Sequence, residues 1–563
     1  SLMPPSLFSP LFRGILCAAT LATTMMAADP SVRRPPNILL IVADDMGFSD
    51  VGSYGGEIRT PNLDRLANQG LRFTQFYTAT RCWPSRAALL TGYYPQAVRR
   101  DTLLDSERGE YGMFGKVSGA NGVRPRWAQL LPAYLKQVGY RTYHSGKWHI
   151  DGDRLPAGFD RSYSLEDHNR FFSPANHLED DRKLPPVAPG SGYYATTAIA
   201  DHAIRCLTDH AASNPEKPFF EYMAFTAPHF PLQALPEDIA LYRDRYLDGW
   251  DQIRAERLQR IKSMGIVIGE MPPAEPDINP RWNMTAQELS QQISPHEMSR
   301  AVPWDTLTAD QKKFQAAKMA IHAAMIHRMD VEIGRVLAQI EAMGQSDNTI
   351  VIFMADNGAS PEQILRGDGH DPSAPLGSAR SYLGLGAGWS TASNAPFRLH
   401  KGYTYEGGSA SPLIVHWPVG LGRSAQLRTT PTHIIDILPT LLEVTGGKMP
   451  STHAGLPVPP LHGKSLVPAF ARDTQIERDC FWWYHDGNRA LRAGDWKIVA
   501  NFNSPWELYN LRDDRTETKN LATSRPDKIQ ELDTLWRKRA AELAALAEQD
   551  LPSGSNLPAI DPN

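Results

Sequence analysis

Four short runs of apolar residues along this chain end abruptly in charged or polar side chains. The first run, Asn37–Ala43, is continuous and rich in isoleucine, leucine and valine, which is typical of a strand buried on both faces of a sheet. The other three runs cover residues 141–145, 219–225 and 349–355. The polar residues that follow the four runs are, in chain order, Asp44 and Asp45, Lys147 and His149, His229, and Asp356 and Asn357. We therefore predict four buried strands whose ends carry acids, bases and an amide.

Helical patterns alternate with these strands. Thr60 and Pro61 suit the cap and the first position of a helix that runs through Ala67, and residues 319–343 contain a long amphipathic helix. This alternation predicts an α/β domain with a large, mostly parallel sheet flanked by helices. Ligands of such sheets bind beyond the carboxyl ends of the strands. The polar residues at the four strand ends are therefore expected to meet in one cleft.

After its leader, the composition and the pattern of predicted elements change twice along the chain. Residues 33–475 are predicted to form the main α/β domain. Within it, residues 236–303 are predicted to be a surface excursion, because they are charged, then rich in proline and methionine, and lack a strand pattern. Residues 476–551 are predicted to form a smaller C-terminal α+β domain. Its predicted elements are strands at 481–484 and 496–499, a turn at Asp486 and Gly487, and a closing helix at 528–549.

The first 28 residues are predicted to be a signal peptide. Arg13 precedes an apolar run over residues 14–22, and small residues at 26–28 provide a cleavage context. We therefore expect a periplasmic or secreted protein. No later run approaches the roughly 20 apolar residues that a membrane-spanning helix needs, so no membrane span is predicted.

Composition narrows the choice of partners. A net charge of −4 over 563 residues gives no general attraction to nucleic acids or anionic membranes, so no nucleic-acid partner is predicted. An anionic substrate would have to be met by a few placed cations. Outside the leader and the motif described below, Cys206 and Cys480 could form a disulfide in an oxidising compartment. Two buried, unpaired thiols are the favoured interpretation.

The acids at two strand ends offer only oxygen ligands. Asp44 and Asp45 follow one buried strand, and Asp356 and Asn357 follow another. Oxygen donors of this kind suit calcium or magnesium better than zinc. Either pair alone is explained as well by helix caps and turns. Two pairs on two buried strands favour a metal site.

The most specific motif begins at Cys82. The cysteine is followed by any residue and then by Pro84, Ser85 and Arg86, and a Leu-Thr-Gly sequence closes the segment at Gly92. This pattern resembles the signature of type I sulfatases, which belong to the alkaline phosphatase superfamily. The resemblance implies that a formylglycine-generating enzyme oxidises Cys82 to formylglycine. It also implies that the hydrated aldehyde attacks the sulfur of a sulfate ester.

The resemblance covers roughly residues 36–522 and assigns roles to further residues. The segments around Lys147, His229 and Lys401 are similar to family blocks that surround the sulfate. By this resemblance, Lys147 and Lys401 bind the sulfate, His149 holds and later deprotonates the formylglycine hydroxyl, and His229 is a general acid toward the leaving oxygen. Arg86 stabilises the ionised hydrate, and the implied ligands of calcium (or magnesium) are Asp44, Asp45, Cys82, Asp356 and Asn357. The neighbouring Arg398 is interpreted as structural.

Alternatives remain at this stage. A related hydrolase of phosphate or phosphonate esters would share the fold, and a non-enzymatic binder of sulfated glycans would keep an unmodified Cys82. For a sulfatase, the substrate is either a small sulfate ester of the aryl type or a sulfated saccharide. His168, Asn169 and Arg170 are candidates for a specificity pocket, although an exposed loop explains them as well.

Overall fold

The computed structural model describes residues 34–101 and 122–551. The predicted signal peptide lies outside the described residues. Within the part of the chain that is described, no helix is both long and apolar enough to cross a membrane.

A large mixed sheet forms the centre of the molecule. Its strand order is β10-β2-β9-β8-β1-β7-β3-β4-β5-β6, and β11 pairs with β2. The strands in chain order are β1 (Asn37–Ala43), β2 (Leu71–Tyr77), β3 (Arg141–Gly146), β4 (Arg161–Leu165), β5 (His177–Glu179), β6 (Arg182–Lys183), β7 (Phe219–Ala224), β8 (Thr349–Ala355), β9 (Ala410–His416), β10 (Gln426–Arg428), β11 (Thr432–His433), β12 (Thr452–His453), β13 (Leu456–Pro457), β14 (Phe481–His485), β15 (Asn488–Ala493), β16 (Trp496–Ala500) and β17 (Glu507–Asn510). The adjacent strands β8, β1, β7, β3 and β4 are mutually parallel, whereas β9 runs antiparallel to β8 and β2.

Helices cover both faces of this sheet. They are α1 (Pro61–Asn68), α2 (Cys82–Thr91), α3 (Leu131–Gln137), α4 (Ala195–Ser213), α5 (Pro236–Ala240), α6 (Gly249–Ser263), α7 (Ala286–Gln292), α8 (Ala309–Ala342), α9 (Gly386–Ser393), α10 (Glu406–Ser409), α11 (Pro418–Leu421), α12 (Ile437–Thr445), α13 (Val467–Ala471) and α14 (Pro526–Ala547). Successive side chains of a strand point to opposite faces, and β1 shows this directly. Leu39 and Ile41 pack in one core with α4 and α8, while Ile38 and Leu40 pack in the other with α2, α12 and α14. The predicted mostly parallel α/β sheet is confirmed.

A small antiparallel sheet, in the order β14-β15-β16-β17, lies in the C-terminal part of the chain. The predicted strands at 481–484 and 496–499 match β14 and β16, and the predicted turn connects β14 to β15. The sequence analysis missed β15 and β17. In both, apolar and charged residues are mixed and give a weak strand signal.

Other elements differ from their predicted bounds. The helix predicted within 319–343 begins ten residues earlier, at Ala309, because Thr308 and Gln311 form a capping box there. Thr60 does precede α1, but its side chain makes no capping hydrogen bond to the helix and instead bonds Asp64. Residues 236–303 are more deeply packed than a surface excursion, because α6 buries Trp250 among the core helices.

Candidate active site

Four neighbouring parallel strands bring the predicted polar residues to one edge of the sheet. β8, β1, β7 and β3 lie side by side in that order and end at the same edge. The polar residues that follow their carboxyl ends are Asp356 and Asn357, Asp44 and Asp45, His229 (five residues after β7 ends), and Lys147 and His149. Lys401 reaches this edge from a loop, where its backbone N–H donates to the carbonyl of Ala359 at 3.1 Å. The expected convergence at one edge of the sheet is confirmed.

Cys82 is the first residue of α2, and its side chain is almost fully buried. The Ser85 hydroxyl, one turn into the helix, accepts a hydrogen bond from the backbone of Ala79 at 3.0 Å and so closes the loop that leads to the cysteine. Burial raises the pKa of the Cys82 thiol, against the opposing effect of Lys147 and Lys401. An unmodified Cys82 is therefore a neutral thiol, which is a weak nucleophile and a poor metal ligand.

Each carboxylate at the strand ends is paired with at least one cation, and Asp44 has a second, Arg86, at 3.8 Å. Lys147 Nζ lies 2.5 Å from Asp44 Oδ2, and Lys401 Nζ lies 2.9 Å from Asp45 Oδ2. Arg86 Nη2 lies 2.8 Å from Asp356 Oδ2. All these side chains are buried.

The pKa values of Asp44 and Asp356 shift in opposite directions. Burial alone would raise the pKa of Asp44, but Lys147, then His229 and Arg86, outweigh it and hold that pKa well below its ordinary value. Burial, reinforced by the charge of Asp44, instead raises the pKa of Asp356 to about 7. A further cation beside Asp44 and Asp356 would keep both carboxyl groups ionised.

Two oxygens of the predicted ligand set are buried without a hydrogen-bond partner, Asp44 Oδ1 and Asn357 Oδ1. The remaining ligands are close by, because Asn357 Nδ2 donates to Asp45 Oδ1 at 2.8 Å and Asp45 N donates to Asp356 Oδ1 at 3.3 Å. Buried oxygens that lack a donor need another partner. The set of carboxylate and amide oxygens therefore fits a hard divalent cation such as calcium or magnesium.

His229 also lies beside the acids. Candidate ligand atoms of Asp44, Asp45 and His229 all lie within 4.8 Å of one another. Its Nδ1 hydrogen-bonds the Phe230 carbonyl, which leaves Nε2 facing Asp45 Oδ2 at 3.6 Å. Burial lowers the pKa of His229 to about 4, although Asp45 and Asp44 act in the opposite direction. The imidazole is therefore neutral until more negative charge arrives.

His149 is held in an unusual backbone conformation, with φ of 55°. Its carbonyl accepts a hydrogen bond from Arg100 at 2.9 Å, and its ring lies 5.7 Å from the Trp83 ring. Its Nδ1 is buried without a hydrogen-bond partner. Burial, then the charge of Lys147, keeps the pKa of His149 well below its ordinary value. A neutral imidazole of this kind can accept a proton.

Glu362 is a site residue that the sequence analysis missed. Its buried carboxylate accepts hydrogen bonds from Arg81 Nη2 at 2.9 Å and from Trp282 Nε1 at 2.8 Å, and it lies 3.2 Å from Lys401 Nζ. Arg81 itself is the residue directly before Cys82, and its guanidinium lies over the Trp83 and Trp282 rings. Glu362 thus joins the start of α2 to the lysine of the site. It lies in a loop with no motif that would mark it.

The three candidates for a specificity pocket separate in the structure. The His168 ring lies 5.4 Å from that of His149, at the site. Asn169 accepts a hydrogen bond from Tyr382 at 2.9 Å, and Arg170 pairs with Asp167 and Asp368. The latter two are therefore engaged in local structure.

Two other interpretations agree with the structure. Arg398 pairs with Glu275 and bonds Tyr509, as a structural residue would. Cys206 and Cys480 are both buried and unpaired. The favoured interpretation of two buried thiols is confirmed.

Comparisons with known proteins identify the family of this chain. A family model described as Sulfatase matches residues 36–447, and one described as N-sulphoglucosamine sulphohydrolase, C-terminal, matches residues 398–545. An uncharacterized sulfatase of Schizosaccharomyces pombe is 33% identical over 556 residues, which cover 92% of this chain and 95% of that protein. An arylsulfatase of Klebsiella aerogenes is 30% identical over 471 residues, which cover 78% of this chain and 93% of that protein.

Solved structures share the fold. The crystal structure of Ps i-CgsB in complex with k-i-k-neocarrahexaose superposes with a TM-score of 0.61 at 24% identity, and the match covers 92% of this chain and 94% of that chain. BT4656, solved in complex with its substrate D-glucosamine-2-N,6-O-disulfate, has a TM-score of 0.58 at 20% identity over 92% of this chain and 100% of that one.

Proposed function

The chain belongs to the sulfatase family and is a sulfuric ester hydrolase, and we propose that it cleaves sulfate monoesters with a formylglycine made from Cys82 beside a bound calcium ion. The observation that carries this proposal is the convergence of Cys82, three carboxylates and two lysines on one buried edge of the sheet. A thiol in that place is neutral and poorly reactive. Conversion to formylglycine gives the position a function that the thiol lacks.

Maturation of Cys82 requires a partner enzyme. The side chain is only 3% exposed in the folded chain, so an oxidising enzyme could not reach it there. We therefore place the action of a formylglycine-generating enzyme before folding is complete. This order fits export of the chain to the periplasm or the medium, which we propose as its location.

The proposed ligands of calcium are Asp44, Asp45, Asp356 and Asn357, together with the modified side chain at position 82. Magnesium suits the same oxygen donors. When bound, the ion supplies positive charge that stabilises negative charge developing on oxygen. Asp44 and Asp45 are otherwise each held by a lysine, so an ion on these acids leaves Lys147 and Lys401 free to bind sulfate oxygens.

Formylglycine in its hydrated form supplies one hydroxyl that attacks sulfur and a second whose deprotonation expels sulfate. The start of α2 favours negative charge on the attacking oxygen, because backbone N–H groups point out of a helix N-terminus. Arg86 adds a fixed positive charge to the same region. Lys147 and Lys401 hold the sulfate oxygens and lower the repulsion between two anionic reactants.

Two histidines move the protons. His149 is neutral and has an unpartnered nitrogen, so it can accept the proton of the second hydroxyl. His229 must carry a proton to serve as the general acid. The anionic ester adds negative charge beside it, which raises its pKa and links its protonation to substrate binding.

Three measurements test the nucleophile. Mass spectrometry of the peptide around position 82, from protein made in a host that oxidises this motif, should find the aldehyde in place of the thiol. A Cys82→Ala variant should lose turnover of an aryl sulfate while keeping its thermal midpoint. A Cys82→Ser variant has a single hydroxyl, so it should accumulate one SO3 group on the serine. Active protein with an intact thiol would refute the proposal.

Removal of the metal tests the proposed calcium site. Exhaustive chelation should abolish turnover, and calcium should restore it more fully than magnesium. Retained turnover in metal-free protein would refute the assignment of Asp44, Asp45, Asp356 and Asn357. A comparison of rates on an aryl sulfate and the matching aryl phosphate separates the proposal from a phosphate ester hydrolase. A simple aryl sulfate needs only the residues that hold the sulfate, so it is a suitable assay substrate whatever the natural ester is.

A further inference from the structure

A cavity of about 280 Å³ opens beside the site at Lys401. One wall comes from residues 277–282, and the opposite wall comes from β14, β15 and the loop after β16. Its described lining residues that matter here are Arg281, Trp282, Tyr403, Asp486, Asn501 and Phe502. The cavity therefore joins the main sheet edge to the C-terminal sheet.

Lys401 connects this cavity to the reacting centre. Its Nζ contacts Asp45 at 2.9 Å, and the same residue lines the cavity. If Lys401 holds the sulfate as proposed above, the organic part of the ester extends from the sulfate into this space. The inference drawn here rests on that proposed function and identifies the organic part.

The walls combine aromatic faces with amide and hydroxyl groups. Trp282, Tyr403 and Phe502 present rings, and Phe502 is 44% exposed, so its ring is accessible to a ligand. The remaining polar lining includes Asn279, Asn488, Asn501 and Ser504. Pockets for purely apolar ligands carry few polar groups. A saccharide ring has an apolar face for the aromatic rings and hydroxyl groups for the amides, so it matches both kinds of wall.

The cavity is organised without a ligand. The Arg281 guanidinium lies 4.8 Å over the Phe502 ring, and its Nη2 is 2.6 Å from Asp486 Oδ1. Asn488 accepts a hydrogen bond from the backbone of Phe502 at 3.1 Å. Trp282 is fixed from behind by its bond to Glu362. A site that is built before binding loses little conformational freedom when it takes a ligand.

Charge limits what the ligand can carry. Of the described lining residues, the cations are Arg281 and Lys401, and each faces a carboxylate, Asp486 for the first and Asp45 and Glu362 for the second. The other acid of the lining, Asp277, pairs with Arg300 outside the cavity. Each cation of the described lining therefore already has a counter-charge, so none is available to bind a second sulfate group. Burying an unpaired anion there would be costly.

We propose that this cavity holds the organic part of the substrate, and that this part is an uncharged saccharide ring whose only charged group is the sulfate being cleaved. Phe502 provides the surface on which the ring packs, and the asparagine side chains meet its hydroxyl groups. Phe502 is thereby a specificity-determining residue.

The test compares substrates and a matched pair of variants. The probes are 4-nitrophenyl sulfate, N-acetyl-D-glucosamine 6-sulfate, D-galactose 6-sulfate and D-glucosamine-2-N,6-O-disulfate. Wild-type enzyme should have a kcat/KM for at least one monosulfated sugar roughly tenfold above that for the disulfated sugar. Phe502→Ala should lower kcat/KM for that sugar roughly tenfold more than for 4-nitrophenyl sulfate, because a lost packing surface in a pocket is worth about this factor.

Val419→Ala is the control, because Val419 is exposed to nearly the same extent as Phe502, 43% against 44%, and lies on α11 away from the cavity lining. Val419→Ala should change kcat/KM for neither substrate. Turnover of 4-nitrophenyl sulfate without turnover of either monosulfated sugar would overturn the inference. So would an equal loss on both substrates in Phe502→Ala. If matured enzyme hydrolyses none of the probes, the proposed function itself fails.

Discussion

Two clusters of buried charge include residues of the same stretch of chain, Lys401 in one and Glu406 in the other, and they differ in how the oxygens of their acids are paired. The first cluster, called catalytic because the proposed function assigns it that role, consists of Asp44, Asp45, Asp356, Arg86, Lys147 and Lys401. The second cluster, called the interface cluster because it joins the loop after Lys401 to the C-terminal sheet, consists of Glu406, Glu517, Lys497, Arg515 and the hydroxyl of Tyr77. Both are buried, and both would be costly if any charge lacked a partner.

The interface cluster surrounds its central carboxylate with donors. Glu406 lies 2.9 Å from Lys497 Nζ, accepts a hydrogen bond from Tyr77 at 2.9 Å and also accepts one from Arg515 Nε. Lys497 lies 2.7 Å from Glu517 as well. These contacts join the loop after Lys401 to the C-terminal sheet. Both oxygens of Glu406 therefore have donors within the protein, although Glu517 Oε1 and Arg515 Nη2 have no hydrogen-bond partner.

The catalytic cluster is arranged differently. Each acid has its closest cation on one oxygen, Arg86 also lies 3.8 Å from Asp44 Oδ1, and Asp44 Oδ1 and Asn357 Oδ1 have no hydrogen-bond partner. The contrast is therefore between Glu406, whose two oxygens both have donors, and the predicted metal ligands, two of whose oxygens have none and can take an exogenous partner. The same substitution in each cluster should therefore have opposite consequences.

Lys401→Met should give the largest effect, and it should appear in catalysis. The variant loses a cation on the sulfate, so we expect kcat/KM for an aryl sulfate to fall about 10³-fold, or about 4 kcal/mol of transition-state stabilisation. Calcium and Arg81 would still hold Asp45 and Glu362, so the urea midpoint should change little. Steady-state kinetics and urea unfolding on calcium-loaded enzyme measure both. A large loss of stability with intact kcat/KM would reverse the assignment.

Lys497→Met is the matched change in the interface cluster. It leaves Glu406 and Glu517 with one fewer cation in a fully buried place, so we expect a loss of about 3 kcal/mol in the free energy of unfolding. Activity per folded molecule should be preserved, because Lys497 lies outside the catalytic edge. The same two assays apply. If kcat/KM fell as steeply as in Lys401→Met, the two clusters would not be functionally distinct.

The sequence predicted the catalytic cluster far better than the interface cluster. Continuous apolar runs indicated the buried strands, and the rule for parallel sheets placed Asp44, Lys147, His229 and Asp356 together without knowledge of their distances. Only the resemblance to sulfatases, however, predicted Cys82 as the nucleophile. Local sequence patterns were therefore enough to predict which residues lie together at the strand ends, and the motif was needed to predict the nucleophile.

Residues in loops were beyond such patterns. Arg81 and Glu362 are 281 positions apart, and Lys497 meets Glu406 across 91 positions. No periodicity encodes which loop folds back onto which, because those pairings depend on the packing of the whole chain. The boundary of α8 was also missed, since its first turns are polar and only the capping box marks their start.

Glu362→Gln tests whether the carboxylate behind Lys401 belongs to the catalytic cluster. The variant keeps an acceptor oxygen but removes the charge that faces Lys401 and Arg81, so we expect kcat/KM to fall roughly 30-fold, or about 2 kcal/mol. Glu297→Gln is the control, because Glu297 is equally buried and lies 2.8 Å from Lys318 in a pair away from the strand ends. The control should lose stability but keep kcat/KM. Equal kinetics in wild type and Glu362→Gln would exclude Glu362 from the site.

Glu221 in β7 provides the limiting case, a fully buried acid with no ion-pair partner among the described residues. Burial raises its pKa to about 8, whereas in the unfolded chain it titrates at its ordinary value near 4.5. Between these values the folded protein keeps a proton that the unfolded chain has lost. Stability from this group is therefore complete at low pH and declines as the pH rises toward 8, by at most about 1.4 kcal/mol per pH unit.

Glu221→Gln removes this titration while keeping the size and polarity of the side chain. Relative to wild type, its urea midpoint should be higher at about pH 7.5 than at about pH 5, because only wild type pays for holding the proton at the higher pH. The difference between the two proteins at each pH cancels the titration of all other groups. If the two curves of midpoint against pH ran parallel, Glu221 would have to be ionised in the fold. Burial would then not have kept this acid neutral, and the contrast between paired and unpaired acids would lose its energetic basis.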